Sequence, residues 1–216
     1  VKRWGRWLTW AGHHWSEDIM GLATSAVEKV CEEYLRVATS TSRDLQGEDD
    51  KEVKRGLESR LEALRKRISL LRDVGGRDRL LECCHTIEDP LAITGDELDQ
   101  QPYLLAFANG VVDLRTGVFR NGRPEDYILN ASPIEWQGIS APCPTWEKTL
   151  LECHELCPDG PQAMLEFLRR ALGYGIMAAR RDHVFLVMVG DKGRNGKDTC
   201  MKVICEVLGK ELSNTI

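Results

Sequence analysis

Residues Phe185–Ile204 read FLVMVGDKGRNGKDTCMKVI, an apolar run that is followed by a glycine-rich stretch and then by a segment with helical periodicity. The apolar run, HVFLVMV at 183–189, has the length and lack of alternation that are typical of a parallel strand buried on both faces. Apolar residues then recur three or four positions apart, which predicts an amphipathic helix over 197–209. The order strand, loop and helix is therefore predicted here.

The composition of this loop is suited to binding phosphate. Its three glycines allow backbone N–H groups to approach an anion closely, and the start of the helix adds unpaired N–H groups and a positive dipole end. Lys197 supplies a mobile cation for the outer phosphates of ATP, and we predict it as the catalytic residue. The predicted ATP-binding residues are Gly190, Lys192, Gly193, Arg194, Asn195, Gly196, Lys197, Asp198 and Thr199.

The loop departs from the common pattern G-x-x-x-x-G-K-[S/T] at two points. The spacing from Gly190 to Gly196 is one residue longer, and Asp198 stands where a serine or threonine normally contacts Mg²⁺. A carboxylate is also a suitable oxygen ligand for a hard cation, and Thr199 offers a hydroxyl one position later. We therefore predict that Asp198 or Thr199 binds Mg²⁺.

Upstream of the loop, the pattern changes twice. Alternation over residues 4–16 predicts an aromatic β-hairpin, which either stacks on bases or, as we favour, covers a helical domain as a small core. Two amphipathic helices are predicted, one from about Asp18 and one from about Asp50 to Val74, and a shorter one follows. The pair Gly75-Gly76 is predicted to end the second helix. The second carries Arg55, Arg60, Arg65, Lys66 and Arg67 among glutamates, and such a mixed-sign face is more typical of a solvated surface than of nucleic-acid contact.

Residues 104–129 differ from the helical region before them. Short runs of apolar residues alternate with the turn signals Asn109-Gly110 and Arg115-Thr116-Gly117, which predicts a compact β-meander. Helical periodicity resumes at 145–153 and again after Pro161, which suits the first position of a helix.

Composition excludes several classes of protein. The chain has 216 residues, 42% of them hydrophobic and 29% charged, with a net charge of −5, so a broad basic surface for nucleic acid is not expected. No apolar run reaches the ~18 residues of a membrane span, so we expect no membrane partner. The chain does not begin with Met, and we expect it to be a piece of a longer protein.

Eight cysteines lack the spacing of a secreted disulfide framework. A zinc site at Cys143, Cys153, His154 and Cys157 is the nearest metal signal, but it contains no C-x-x-C pair. Reduced thiols packed as small apolar groups are the favoured interpretation, and a cytoplasmic location is therefore expected.

These motifs together carry a family resemblance. GDKGRNGKDT (190–199), with its asparagine before Gly-Lys, resembles the Walker A loop of superfamily 3 helicases from phage and plasmid primase–helicases. LLAFANGVVDLRTGVFRNGRPEDYI (104–128) is similar to the NGVLDL-x-T-G signature that precedes the helicase in that family, and WLTWAGHHWSED (7–18) resembles its tryptophan-rich opening segment. Poxvirus-type primase–helicases share this domain, so the resemblance extends over nearly the whole chain.

The resemblance implies a hexameric ring ATPase that moves along single-stranded DNA and is often fused to a primase. It assigns Walker A roles to Gly190, Gly193, Asn195, Gly196 and Lys197. The Walker B strand, the sensor, the arginine finger and the DNA-contacting hairpin are expected after Ile216, and the primase site before Val1. We therefore expect the chain alone to hydrolyse little ATP.

The predicted fold is mixed α+β with two parts. Residues 1–142 form a mainly helical domain with a β-hairpin and a β-meander, and residues 143–216 begin an AAA+-like ATPase of superfamily 3, cut after the Walker A helix. Two other functions remain open. A P-loop kinase would normally begin with the loop near its N-terminus, and an adaptor or oligomerisation domain with a vestigial loop would show no ATP affinity that depends on Lys197.

Overall fold

The computed structural model describes residues 1–88, 90–177, 182–189 and 196–213. They form two compact units, of which unit 1 comprises Val1–Thr9 and Glu17–Asp96, and unit 2 comprises Trp10–Ser16 and Glu97–Ile216. The fold is mixed α+β, mostly helical with small antiparallel sheets, as the sequence predicts. The domain boundary at 142/143 differs from this division and stays a prediction.

The predicted hairpin is present as β1 (Leu8–Trp10) and β2 (Trp15–Glu17). Trp10 and Trp15 make an edge-to-face contact with ring centroids 5.3 Å apart. The indole N–H of Trp15 donates to the Pro124 carbonyl at 2.9 Å, and the backbone N–H of Gly122 donates to His13 Nδ1 at 3.2 Å. The tip of the hairpin therefore packs on the chain that follows the β-meander. Trp7, just before β1, instead contacts His85 of unit 1 with ring centroids 5.1 Å apart, so contact with the helical region, which we had favoured, is made at the base of the hairpin.

Unit 1 is built from α1 (Leu22–Gln46), α2 (Lys51–Arg72) and α3 (Val74–Cys83). The Asp18 carboxylate accepts hydrogen bonds from the first amides of α1, and Asp50 does the same for α2, so both starts are capped by aspartate. The helices enclose an apolar core of Val27, Cys31, Ala38, Leu61, Leu64, Ile68 and Leu71.

The glycine pair 75–76 has a different role from the predicted one. The sequence predicted that it ends the second helix, but α2 ends at Arg72, and both glycines lie in the first turn of α3. A Cβ on Gly76 would lie 1.8 Å from the carbonyl oxygen of Leu70. Only glycine therefore allows α3 to start this close to the end of α2.

The predicted β-meander is confirmed in unit 2. Strands β3 (Leu104–Phe107), β4 (Gly110–Asp113) and β5 (Phe119–Arg120) pair antiparallel in the order β3-β4-β5, with Leu105 opposite Val112. The Asn109 side chain bonds both backbone groups of Trp136, donating at 3.0 Å and accepting at 2.8 Å. The NGVVDLRTG segment is thus a structural element that holds the chain after the meander.

The described residues of unit 2 also include a short 3-10 helix (Pro124–Asp126) and the helices α4 (Pro144–Cys153), α5 (Pro161–Ile176) and α6 (Lys197–Leu208). Helices α4 and α5 bury Leu150, Leu165 and Leu168 against one another. Prolines occupy the first position of both helices, where no N–H is needed. No helix of the described residues is both long and apolar enough to cross a lipid bilayer.

The predicted buried strand at 183–189 is not present in the structure. These residues have no regular secondary structure, and neither sheet of the described residues includes them. The exposed fractions reach 72% at Val184, 87% at Phe185 and 85% at Val189. A strand satisfies its backbone groups only through neighbouring strands, and the described residues supply none at this place. The described residues therefore do not show the first strand of a P-loop ATPase sheet.

An ion pair between the half-buried Arg120 and the buried Asp126 holds the end of the meander. The two terminal guanidinium nitrogens of Arg120 each donate a hydrogen bond of 2.7 Å to the Asp126 carboxylate. The same carboxylate accepts a hydrogen bond from the Arg123 amide at 2.9 Å. Burial raises the pKa of Asp126, but the hydrogen bonds from Arg120 and Arg123 outweigh it, and the net pKa lies below its ordinary value of 3.8. The pair therefore contributes stability above pH 3.8 that is lost as pH falls through the lowered pKa.

We predict that Asp126→Asn lowers the free energy of unfolding by about 2 kcal/mol at neutral pH, because the amide cannot replace a charged, bidentate acceptor. The difference from the native chain should begin to shrink as pH falls below the ordinary carboxyl pKa of 3.8, and it should close once pH has passed the lowered pKa of the folded carboxyl, where the native side chain is protonated. Urea unfolding at several pH values measures this. Glu125→Gln, at an exposed neighbour, is the control and should show little change. A difference that is constant between neutral and acid pH would contradict the assigned role of the pair.

Candidate functional site

The start of α6 contains the predicted phosphate-binding residues that the structure describes. Gly196 is the N-cap, with a φ of 74°, and its carbonyl accepts from the Cys200 amide at 2.9 Å. Lys197, Asp198 and Thr199 form the first turn. The other predicted ligands lie outside the described residues, namely Gly190, Lys192, Gly193, Arg194 and Asn195.

The first turn of α6 has features that suit an anion. Lys197 is half-buried and has no ion pair within the described residues. The amides of Lys197, Asp198 and Thr199 likewise have no hydrogen-bond partner there, as expected for the opening turn of a helix. Asp198 and Thr199 are exposed, so their oxygens are accessible to a cation beside a bound phosphate.

An apolar cavity of about 870 Å³ lies beside this turn. Its walls come from α4, α5, residues 186–189 and the first turn of α6, including Lys197 and Thr199. Trp146 and Phe167 are among the aromatic and apolar side chains that line it. A mostly apolar cavity with a few polar groups at one side is typical of a small-molecule site.

Three of the lining residues are cysteines. A Cβ on Gly196 would lie 3.1 Å from Cys153 Sγ, so α4 lies directly against the start of α6. Burial, and then the neighbouring Cys153, raise the pKa of the Cys200 thiol, which favours its neutral form. All eight cysteines are free. The sequence carries no signal for the contact between Cys153 and Gly196, because it joins residues that are far apart in the chain.

The residues of the weak zinc pattern, in which we had favoured reduced thiols, are not brought together as a metal site. His154 Nδ1 lies 2.7 Å from the Leu150 carbonyl oxygen, one turn earlier in α4, and Cys143 donates to Glu147 at 3.7 Å. Within the described ranges, no group of three or more histidine, cysteine, aspartate or glutamate side chains is arranged to hold a metal.

The far end of α6 is fixed to the meander. The Ser132 hydroxyl, 1% exposed, donates to the Val207 carbonyl at 2.6 Å, and the Ser132 amide donates to Ala106 in β3 at 2.9 Å. A Cβ on Gly209 would lie 2.7 Å from Pro133 Cδ. The sequence reasoning missed Ser132, since a single serine in a loop carries no pattern.

A family model described as D5 N terminal like matches residues 1–155. The chain belongs to this family. The match includes the hairpin, α1 to α3, the meander and α4, and it confirms the resemblance to the N-terminal region of primase–helicases. It ends before α5 and the glycine-rich loop, so the candidate site lies partly beyond it.

Curated relatives agree with the family. The chain is 30% identical over 128 residues to "Putative helicase L207/L206" of Acanthamoeba polyphaga mimivirus, covering 59% of this chain and 13% of that protein. It is 32% identical over 127 residues to "Putative helicase 184R" of Invertebrate iridescent virus 6, covering 57% of this chain and 13% of that protein. A third relative, "Putative helicase 022R" of Frog virus 3, is 35% identical over 81 residues, covering 37% of this chain and 8% of that protein. The chain thus matches about an eighth or less of the length of these relatives.

We predict that Gly196→Ala lowers the free energy of unfolding by about 1–2 kcal/mol, because alanine is strained at a left-handed φ. Its Cβ would also press on Cys153 Sγ. Gly173→Ala is the matched control, since Gly173 lies within α5 with open space around its Cα, and it should leave stability unchanged or raise it by up to about 1 kcal/mol. Urea unfolding compares the two, and equal effects would contradict the close packing described here.

Proposed function

We propose that this chain is a nucleotide-binding part of a helicase, and that it binds ATP with Mg²⁺ through residues 190–199 at the start of α6. The family and the relatives named as helicases support a helicase- or primase-associated role. The observation that carries the ATP proposal is the first turn of α6, where Lys197 has no ion pair among the described residues and follows a left-handed glycine beside an apolar cavity.

The residues present fit a nucleoside triphosphate. The amides that open α6 and the Lys197 ammonium would hold the phosphates, since both favour negative charge. The apolar side chains of the cavity, Trp146 and Phe167 among them, would cover the base. Asp198 and Thr199 are the candidate Mg²⁺ ligands, and the metal would neutralise the phosphate oxygens during transfer.

The longer protein would use this site in a ring. We propose a homo-hexamer in the cytoplasm that hydrolyses ATP and moves along single-stranded DNA, because this is what the resemblance to superfamily 3 helicases implies. Among the described residues, no carboxylate lines the cavity beside the start of α6 to position the metal and the attacking water. We therefore propose that this chain by itself turns over little ATP, and robust phosphate release that Lys197→Ala abolishes would contradict that.

We predict that Lys197→Ala weakens binding of a fluorescent ATP analogue at least tenfold, because a charged hydrogen bond to phosphate contributes about 1.5–3 kcal/mol. Lys202→Ala is the matched control, since Lys202 lies on the same helix and is exposed, and it should leave affinity unchanged. Equal binding by the native chain and Lys197→Ala would exclude this site and favour an adaptor with a vestigial loop.

The two metal candidates can be separated in the same titration. We predict that Asp198→Ala or Thr199→Ala removes the gain in ATP affinity that Mg²⁺ gives, because each substitution deletes an oxygen ligand. The comparison is made with Mg²⁺ and with EDTA. If neither substitution changes the effect of Mg²⁺, the metal is held by other residues.

A further inference from the structure

Helix α2 concentrates positive charge in an acidic chain. It carries eight lysines and arginines against three glutamates, a net charge of +5, whereas the whole chain has −5. The remainder of the chain therefore carries −10. All eight cations are exposed, so the charge lies on the surface of unit 1.

Most of these cations have no acidic partner. Lys66 pairs with Glu62 at 2.8 Å, and the Arg67 guanidinium lies over the Tyr34 ring at 5.8 Å. The other six form no ion pair with a described residue, and they are Lys51, Lys54, Arg55, Arg60, Arg65 and Arg72. From sequence alone this face resembled a neutralised, solvated surface, but the structure shows that its glutamates compensate little of the charge.

The cations are also in register along the helix. Lys54, Arg65 and Arg72 are separated by eleven and seven residues, which is about three turns and about two turns. They form one straight row about 27 Å long, at 1.5 Å per residue. The row lies beside the buried side chains of α2, which are Leu61, Leu64, Ile68 and Leu71. Arg55 and Lys66, again about three turns apart, begin a second row. A straight row of cations matches a linear polyanion better than a compact one.

We propose that this basic face of α2 binds the phosphate backbone of single-stranded nucleic acid. The choice of nucleic acid over another polyanion rests on the proposed helicase function. A flexible single strand can follow a straight row of cations, whereas each strand of a duplex winds around its axis and would meet the row only where it crosses. Exposed aromatic side chains are absent from α2, so no base stacking is available, and binding should be independent of base sequence.

The test uses the full chain and a labelled mixed-sequence DNA strand of about 20 nucleotides, titrated without ATP at several salt concentrations. The triple variant Lys54→Gln, Arg65→Gln and Arg72→Gln should bind at least tenfold more weakly. The slope of log affinity against log salt should fall by about 2 in magnitude, since each phosphate contact contributes about 0.7 for a single strand.

A matched control is available on the neighbouring helix. Lys29, Arg36 and Arg43 form a row on α1 with seven-residue spacing, among four acidic residues. Their replacement by glutamine removes the same charge and should change affinity less than about twofold if location matters more than net charge. Equal loss in both triple variants, no loss in the α2 variant, or tighter binding of a duplex of the same sequence would each overturn the proposal.

Failure of this inference is distinguishable from failure of the ATP site. Lys197→Ala, which removes the proposed phosphate ligand of ATP, should bind the DNA strand like the native chain. If the native chain binds the DNA strand but not ATP, the ATP proposal alone fails. If it binds ATP but not the DNA strand, the proposal for α2 alone fails. Circular dichroism of both triple variants shows whether the helices remain folded.

Discussion

The hydrogen bond from the Ser132 hydroxyl to the Val207 carbonyl determines where α6 lies in unit 2. Ser132 is itself fixed to β3 through its amide, so the meander, which belongs to the family-matched region, holds the C-terminal end of the helix. Cys153 of α4 packs against Gly196 at the other end. Held at both ends, α6 presents Lys197 in one place beside the cavity, which is the preorganisation that an anion site needs.

The same unit contains an apolar run that is left largely exposed. Residues 183–189 have the composition of a central strand, but their apolar side chains are largely exposed and their backbone is unpaired within the described residues. Burial of such a run requires strands on both sides and helices on both faces. Helices α4 and α5 and the first turn of α6 line the cavity together with residues 186–189.

Local signals in the sequence predicted most of the elements. The hairpin, the meander and the helices follow from alternation, turn residues and helical periodicity, and the family resemblance was confirmed. The prediction of a strand at 183–189 was wrong because a strand is stable only beside partner strands, which a local pattern does not encode. Gly75 and Gly76 were misassigned for a similar reason, since the requirement for Gly76 comes from the close approach of the Leu70 carbonyl. Ser132 and the contact of Cys153 with Gly196 could not be predicted, because each joins distant parts of the chain.

Hydrogen exchange of the backbone amides tests the central claim most directly, because those amides are the proposed phosphate ligands. On addition of ATP and Mg²⁺, exchange should slow at Lys197, Asp198 and Thr199, and the effect should be absent in Lys197→Ala. Helix α2 should be unaffected, because no nucleotide is expected there. Unchanged exchange at the start of α6 under saturating ATP would contradict the claim that this chain binds nucleotide at this helix.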